Sequence, residues 1–302
     1  MKLLAILLGS WLVAAITWGS PVEVEVVTDQ NQFLPDESLE VGVRISNLSG
    51  QTLHLGKDDN WVSFFVEAQD RRTMVRELGQ LPAKGEFAVE TSTRVTRRFD
   101  LAPYYSINQP GRYRITATVR IQKWNEELTS SPKEVNIVGG TTLWEQEFGV
   151  PKAPGAPAGP PEVRKYILQQ ARLIDELRLY LRITDLHDAK IYRVAPVDRL
   201  LSFSTPEVQI DRQANLHVLH QTGRSVFNYS VFDPDGRLII RQQHTYDSAG
   251  GRARLRADAE GRIVVSGGLR RPSPLDVPQR SIVPTLPSPQ QSAPPEPEKL
   301  KK

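Results

Sequence analysis

The residues best equipped for chemistry lie in the second half of the chain. His217 and His220 fall in residues 216–221 (LHVLHQ), a stretch with the look of a strand. Side chains on a strand alternate between faces, so positions 217 and 220 point apart and do not readily share one metal. One is expected to be packed or hydrogen-bonded and the other to face solvent. The weaker metal candidates are then His217 and His244, the latter from the next hairpin. Asp233 and Asp235 (Asp-Pro-Asp-Gly) resemble part of an oxygen-rich calcium loop. However, Arg237 and an apolar run follow where such a loop needs further acidic ligands, so a hairpin turn is the expected role.

Arg252, Arg254 and Arg256 alternate along one strand face, and Arg270-Arg271 follow. Guanidinium groups form bidentate bonds to planar oxyanions. These five arginines are the candidate site for phosphates, acidic glycans or an acidic protein, against a solvated face or a complement to the acidic first half. Residues 21–150 hold 14 Lys/Arg and 19 Asp/Glu, whereas residues 163–271 hold 18 and 12. Nucleic acid is a poor fit, because no aromatic platform interleaves with the arginines.

The familiar catalytic signatures are absent: no Gly-x-Ser-x-Gly, no His-Glu-x-x-His, no phosphate loop and no dinucleotide glycine fingerprint. The doublets Asp58-Asp59 and Asp175-Glu176 read as solvated turn carboxylates, and no catalytic residue or cofactor is assigned. The chain has no cysteine, which removes disulfides, thiolate metal sites, cysteine nucleophiles and a lipid-modified cysteine.

The elements that must position these residues read as β throughout. In residues 20–150, Val22, Val24 and Val26, then Leu39, Val41, Val43 and Ile45, alternate with polar residues, the mark of half-buried strands. Turn chemistry occurs at residues 34–37, 47–50 and 108–111, with further strands expected at 62–68, 95–101, 112–121 and 134–138. About seven strands in this length suggest a sandwich. The run Phe33-Leu34-Pro35-Asp36-Glu37-Ser38-Leu39-Glu40-Val41 ending at Asn47, with Pro110-Gly111-Arg112-Tyr113 opening a later strand, resembles bacterial immunoglobulin-like sandwiches. It is also similar to the intracellular proteinase inhibitor family of bacilli. The resemblance implies that Tyr113 is a tyrosine-corner residue and that Trp61 packs on the core.

Residues 162–271 read as a β-meander. Three segments beginning at Asp211, Asp233 and Asp258 align without gaps, each a turn feeding a strand, at spacings of 22 and 25 residues. That is the length of a hairpin unit, and the layout resembles propeller blades. In residues 163–185 the alternation of Leu177, Leu179, Leu181 and Ile183 favours two strands joined near residues 173–176 over a helix.

Residues 151–161 are a Pro-rich linker and residues 272–302 a disordered Pro-rich tail. Residues 1–19 have the order of a secretory signal: Lys2, an apolar run over 3–18, then small residues with a cut after Gly19, or alternatively after Ala15. No later run approaches the roughly 20 apolar residues of a membrane-spanning helix. The expectation is an exported, periplasmic or extracellular all-β protein with no integral membrane segment after cleavage. It would bind a protein or glycan of the envelope. The alternatives are an exported hydrolase using Asp211, Asp233, His217 or His244, and a proteinase inhibitor using a loop of the sandwich. Asn47-Leu48-Ser49 and Asn228-Tyr229-Ser230 fit the glycosylation acceptor pattern.

Overall fold

The structure, a computed structural model, describes residues 20–152, 159–160 and 162–278. The expected signal, most of the Pro-rich linker and the tail beyond residue 278 lie outside the described residues. The fold is all-β, and the chain forms two compact units that divide between Ser204 and Thr205.

In the first unit, alternation builds a sandwich. Strands β1 (Val22–Thr28), β2 (Gln32–Phe33), β3 (Glu40–Asn47), β4 (Leu53–Leu55), β5 (Val62–Ala68), β6 (Thr73–Met74), β7 (Phe87–Val89), β8 (Thr93–Asp100), β9 (Gly111–Ile121), β10 (Glu126–Thr129) and β11 (Lys133–Ile137) follow in order. One sheet runs β1-β3-β8. The other runs β2-β11-β9-β5-β6, with β10 also on β9, while β4 and β7 pair separately. Val22, Val24 and Val26 lie beside Val43 and Ile45 in one sheet and share one core with Ile115, Ala117, Val119 and Val135 of the other. The five strands beyond the six placed by residue range are pieces of two to four residues, too short to show a period. Trp61 is buried, its indole Nε1 donates to the Ala83 carbonyl at 2.8 Å, and its ring meets Phe87 edge-on at 5.1 Å. The Tyr113 hydroxyl donates to the Gln109 carbonyl at 2.7 Å, four residues back.

The boundary differs from the one drawn at the Pro-rich segment. Strand β12 (Thr141–Gly149) crosses that segment to pair antiparallel with β13 (Val163–Arg172), and β14 (Leu177–Asp185) and β15 (Ile191–Arg199) complete a four-stranded sheet. Phe148 stacks on Tyr166 at 3.9 Å, and the Val150 amide donates to the Glu162 carbonyl at 2.8 Å. The Pro-rich run thus joins two paired strands of one unit. The β13–β14 turn closes at Leu173 and Glu176 (2.8 Å), as the leucine alternation predicts.

This sheet docks on the sandwich through the turn after β2. Leu34 is buried among Ala171, Tyr180 and Val194. Arg182 reaches the Asp36 carboxylate (3.0 Å) and the Pro35 carbonyl (3.3 Å), and the Ile174 amide donates to Gln32 Oε1 at 2.6 Å.

The second unit is one sheet, β16-β17-β18-β19-β22, built from β16 (Glu207–Ile210), β17 (Leu216–Gly223), β18 (Val226–Phe232), β19 (Leu238–Thr245) and β22 (Leu269–Arg271). A hairpin of β20 (Arg254–Ala257) and β21 (Ile263–Ser266) lays Ala253, Leu255, Ile263 and Val265 on Leu219, Phe227, Tyr229 and Val231. Residues 272–278 continue beside β19, where Arg241 and Val277 exchange backbone hydrogen bonds of 3.0 and 3.1 Å. Residues 272–278 of the Pro-rich tail are therefore packed beside the sheet, with Asp276 buried against Arg270.

Candidate functional site

The aligned aspartates are turn anchors, and there are four. At Asp211, Asp233, Asp247 and Asp258, Oδ1 accepts the amides two and four residues on, at 2.7–3.1 Å. Each aspartate's own amide bonds the carbonyl four residues on, at 2.9–3.0 Å. The residue three on has positive φ: Ala214 at 62°, Gly236 at 75°, Gly250 at 77° and Gly261 at 76°. This is a hairpin turn with a left-handed bulge residue, and glycine relieves the strain at three of the four. Oδ1 is committed to backbone donors, which is the turn role expected of Asp233 rather than a calcium one. The Asp247 turn escapes a search by period, since it lies 14 residues after Asp233 and 11 before Asp258.

One turn does more. Asp211 Oδ2 accepts from the Asn215 side chain (2.9 Å) and lies 3.1 Å from His217 Nε2. His217 Nδ1 lies 2.8 Å from the Tyr229 hydroxyl. The neutral imidazole that satisfies both partners carries its proton on Nε2 and accepts from Tyr229. Burial would raise the Asp211 carboxyl, but hydrogen bonds from Asn215 and His217 outweigh it and hold the group below its ordinary value. Burial, with Asp211 nearby, pushes the Tyr229 hydroxyl up to about 12. The acid–imidazole–hydroxyl order suits proton relay, yet Tyr229 is buried in the apolar cluster under β20–β21. The chain of hydrogen bonds ends in the core.

The histidines do not converge. His217 pairs with Val231, whose other neighbour is Ile240, while His244 pairs with Phe227. The two rings share a face but stand two strands over and four residues along, roughly 16 Å apart by strand geometry. No group of three or more potential metal ligands occurs among the described residues. His220 does point to the opposite face from His217, but both are buried, which corrects the expectation that one faces solvent. The sheet is covered on both faces at β17 and β18, and alternation alone cannot reveal a second cover. Burial holds the His244 imidazole below its ordinary value, with Arg270 acting in the same direction and Asp276 against it. Asn47 and Asn228, the two acceptor-pattern asparagines, are buried as well.

The arginine ladder has an internal anion. Arg252, Arg254 and Arg256 do line one exposed face, alternating with buried Ala253 and Leu255. Arg252 and Arg254 both reach Glu207 Oε1, at 2.9 and 2.8 Å, while Glu207 Oε2 accepts the Leu255 amide at 2.9 Å. Arg270 bonds Asp276 at 3.2 Å. Only Arg256 and Arg271 of the five make no ion pair within the described residues. The charge asymmetry also shrinks at the true boundary: residues 20–204 carry 23 Lys/Arg and 25 Asp/Glu, and residues 205–278 carry 10 and 8.

The site that sequence reading missed lies in the first unit, where residues 29–40 meet the β13–β15 sheet. Two grooves flank Gln30. One, of about 440 Å³, is lined by Asp29, Asn31, Gln32, Asp175, Glu176 and Arg178. The other, of about 360 Å³, adds Phe33, Glu37, Arg193 and Pro196. Beneath them Glu37, 5% exposed, accepts from the Leu34 amide (2.8 Å) and the Gln30 side chain (3.1 Å), and Arg178 holds the other end of Gln30 at 3.2 Å. Asp175-Glu176 is thus part of a groove rim, with Glu176 paired to Arg178. Asp58 and Asp59 are turn carboxylates: Asp58 caps Asn60, and Asp59 takes the Ala83 and Lys84 amides. No signal marks the groove in sequence, because its walls are over 140 residues apart.

Burial raises the Glu37 carboxyl, outweighing its hydrogen bonds, and burial together with that carboxylate pushes Tyr180 up to about 12. For Glu37 the folded value lies above the unfolded one, so the native state binds more protons in the interval between them and stability falls as pH rises. The loss starts near 4.5, the ordinary value. Denaturant titrations from pH 4 upward should show the first unit weakening through that window. Glu37→Gln should remove the slope, and an unchanged slope would place its origin elsewhere.

Comparison with known proteins finds no family model and no curated protein that matches this chain.

Proposed function

We propose that this chain is an exported, non-enzymatic binding or scaffold component of a cell envelope or of the extracellular space, engaging a protein or glycan by surface complementarity. The supporting observation is the pair of grooves beside Gln30. They are lined by amides, carboxylates and two guanidiniums, Arg178 and Arg193, with Phe33 and Pro196 beside them, and their backing is braced by the Glu37–Gln30–Arg178 hydrogen bonds. Such pre-arranged polar groups favour recognition, since little ordering remains to be done on binding. By contrast, the relay-like Asp211–His217–Tyr229 set is enclosed in a core. The export half of the reading rests on the cation, apolar run and small residues of positions 1–19.

The test is a panel of envelope oligosaccharides and extended peptides on immobilised protein, compared with Asn31→Arg and Asp175→Arg at the exposed groove rim. Binding that drops about tenfold in the variants is the expected result. Ligands indifferent to both changes would remove the groove, and turnover of a glycoside, ester or peptide substrate abolished by His217→Ala would overturn the non-enzymatic reading.

A further inference from the structure

Strand β12 is an open edge. It runs nine residues, pairs among the described residues only with β13, and is exposed along both faces except at half-buried Trp144 and buried Phe148. Folded proteins blunt such edges with charged side chains, lysine above all, and with proline, irregular register or short length. The far edge of the same sheet does so: β15 carries Arg193, Pro196 and Arg199, and its pairing with β14 shifts register twice. In the sandwich, β8 carries Arg94, Arg97 and Arg98, the outer side of β1 is taken by a bridge from Glu25 to Ser131, and β2 and β6 are two residues long. In the second unit the outer strands β16 and β22 have four and three residues. Residues 141–149 (TTLWEQEFG) contain no lysine, arginine or proline. Among the described residues β12 is the one long open edge with no cation and no proline, its protection being a single register shift at Thr142/Trp144 and the carboxylates Glu145 and Glu147.

The edge also carries a charge pattern. Glu145 and Glu147 are exposed on one face, opposite Ile167 and Lys165 of β13. Lys165 gives its ammonium to Asp188 at 2.9 Å, and neither glutamate forms an ion pair within the described residues. An added strand would place its side chains directly opposite those of β12, with Cβ atoms about 5 Å apart. Cations at alternate positions would meet Glu145 and Glu147, and an apolar residue between them would lie on the Trp144–Phe148 side. A second copy pairing through β12 would instead set glutamate against glutamate on the same face, which is destabilising.

We infer that β12 is a docking edge for an extended peptide with lysine or arginine at alternate positions, which it takes up as a fifth strand of the β12–β15 sheet. Backbone hydrogen bonds supply affinity, and the two glutamates select the basic partner. The inference rests on the binding-protein reading but names a surface separate from the Gln30 grooves.

The test uses the full mature chain and a labelled decapeptide alternating lysine with valine, followed by fluorescence anisotropy and hydrogen exchange. Saturable binding that weakens as salt rises, with amide protection gained over residues 141–149, is expected. Glu145→Lys/Glu147→Lys, both changes at exposed positions, should weaken the lysine peptide at least tenfold and admit a glutamate–valine peptide in its place. Equal affinity for both peptides in the parent and the charge-reversed chain, protection elsewhere than β12, or self-association through β12 would each overturn the inference. If the peptide fails while rim variants at Asn31 and Asp175 still alter another ligand, the edge assignment falls and the binding-protein reading stands.

Discussion

Asp211→Ala is expected to cost the second unit about 3–4 kcal/mol, because it strands four donors at once, three of them part-buried, and a buried donor left unmade costs about 1–3 kcal/mol. The amides of Gln213 and Asn215, the Asn215 side chain and His217 Nε2 all lose their acceptor. The control is Asp247→Ala, where the same turn geometry exists on an exposed loop and the side chain serves only the amides of Ala249 and Gly251. That change should cost about 1 kcal/mol, the scale of a lost turn or cap acceptor. Urea unfolding of both variants separates the turn from the relay. Equal losses would mean that the Asp211–His217–Tyr229 link adds nothing to stability.

The second large effect is expected at Trp61. Replacement by alanine should cost about 3–5 kcal/mol, the range for emptying a large aromatic site in a core. It removes edge contacts with Phe87 and a tilted contact with Phe99 at 6.0 Å. It also frees the Ala83 carbonyl, so the loop held by Asp59 loses one of its anchors. Trp61→Phe keeps a ring in place and should cost nearer 1–2 kcal/mol, chiefly the lost hydrogen bond and the smaller volume. Thermal unfolding followed by circular dichroism distinguishes them. Equal costs would assign the whole effect to the indole hydrogen bond, not to packing.

These two sites differ in how visible they are beforehand. Trp61 stands just ahead of an alternating strand, and its core role is what the resemblance to immunoglobulin-like sandwiches implies. The link between Asp211 and His217 spans only six residues, but it depends on the turn folding the aspartate back over the strand it feeds. Three of the four aspartate turns are recognisable because each leads into a run rich in large apolar residues beginning at Leu216, Leu238 or Ile263. The fourth leads into Arg252-Ala253-Arg254-Leu255, where alanine is a weak marker of the buried face.

Local pattern reached the longer strands of the sandwich, three of the four aspartate turns and the all-β class of this chain, since each of these depends on residues two to five positions apart. The division near Ser204, the passage of β12 across the Pro-rich segment, the Glu207 carboxylate beneath the arginine ladder and the grooves beside Gln30 were decided only in three dimensions. In each case the partners lie far apart in sequence: Arg252 is 45 residues from Glu207, and Arg182 is 146 from Asp36. Alternation states that a strand has an inner face, whereas which surface covers that face depends on the free energy of the whole packed unit.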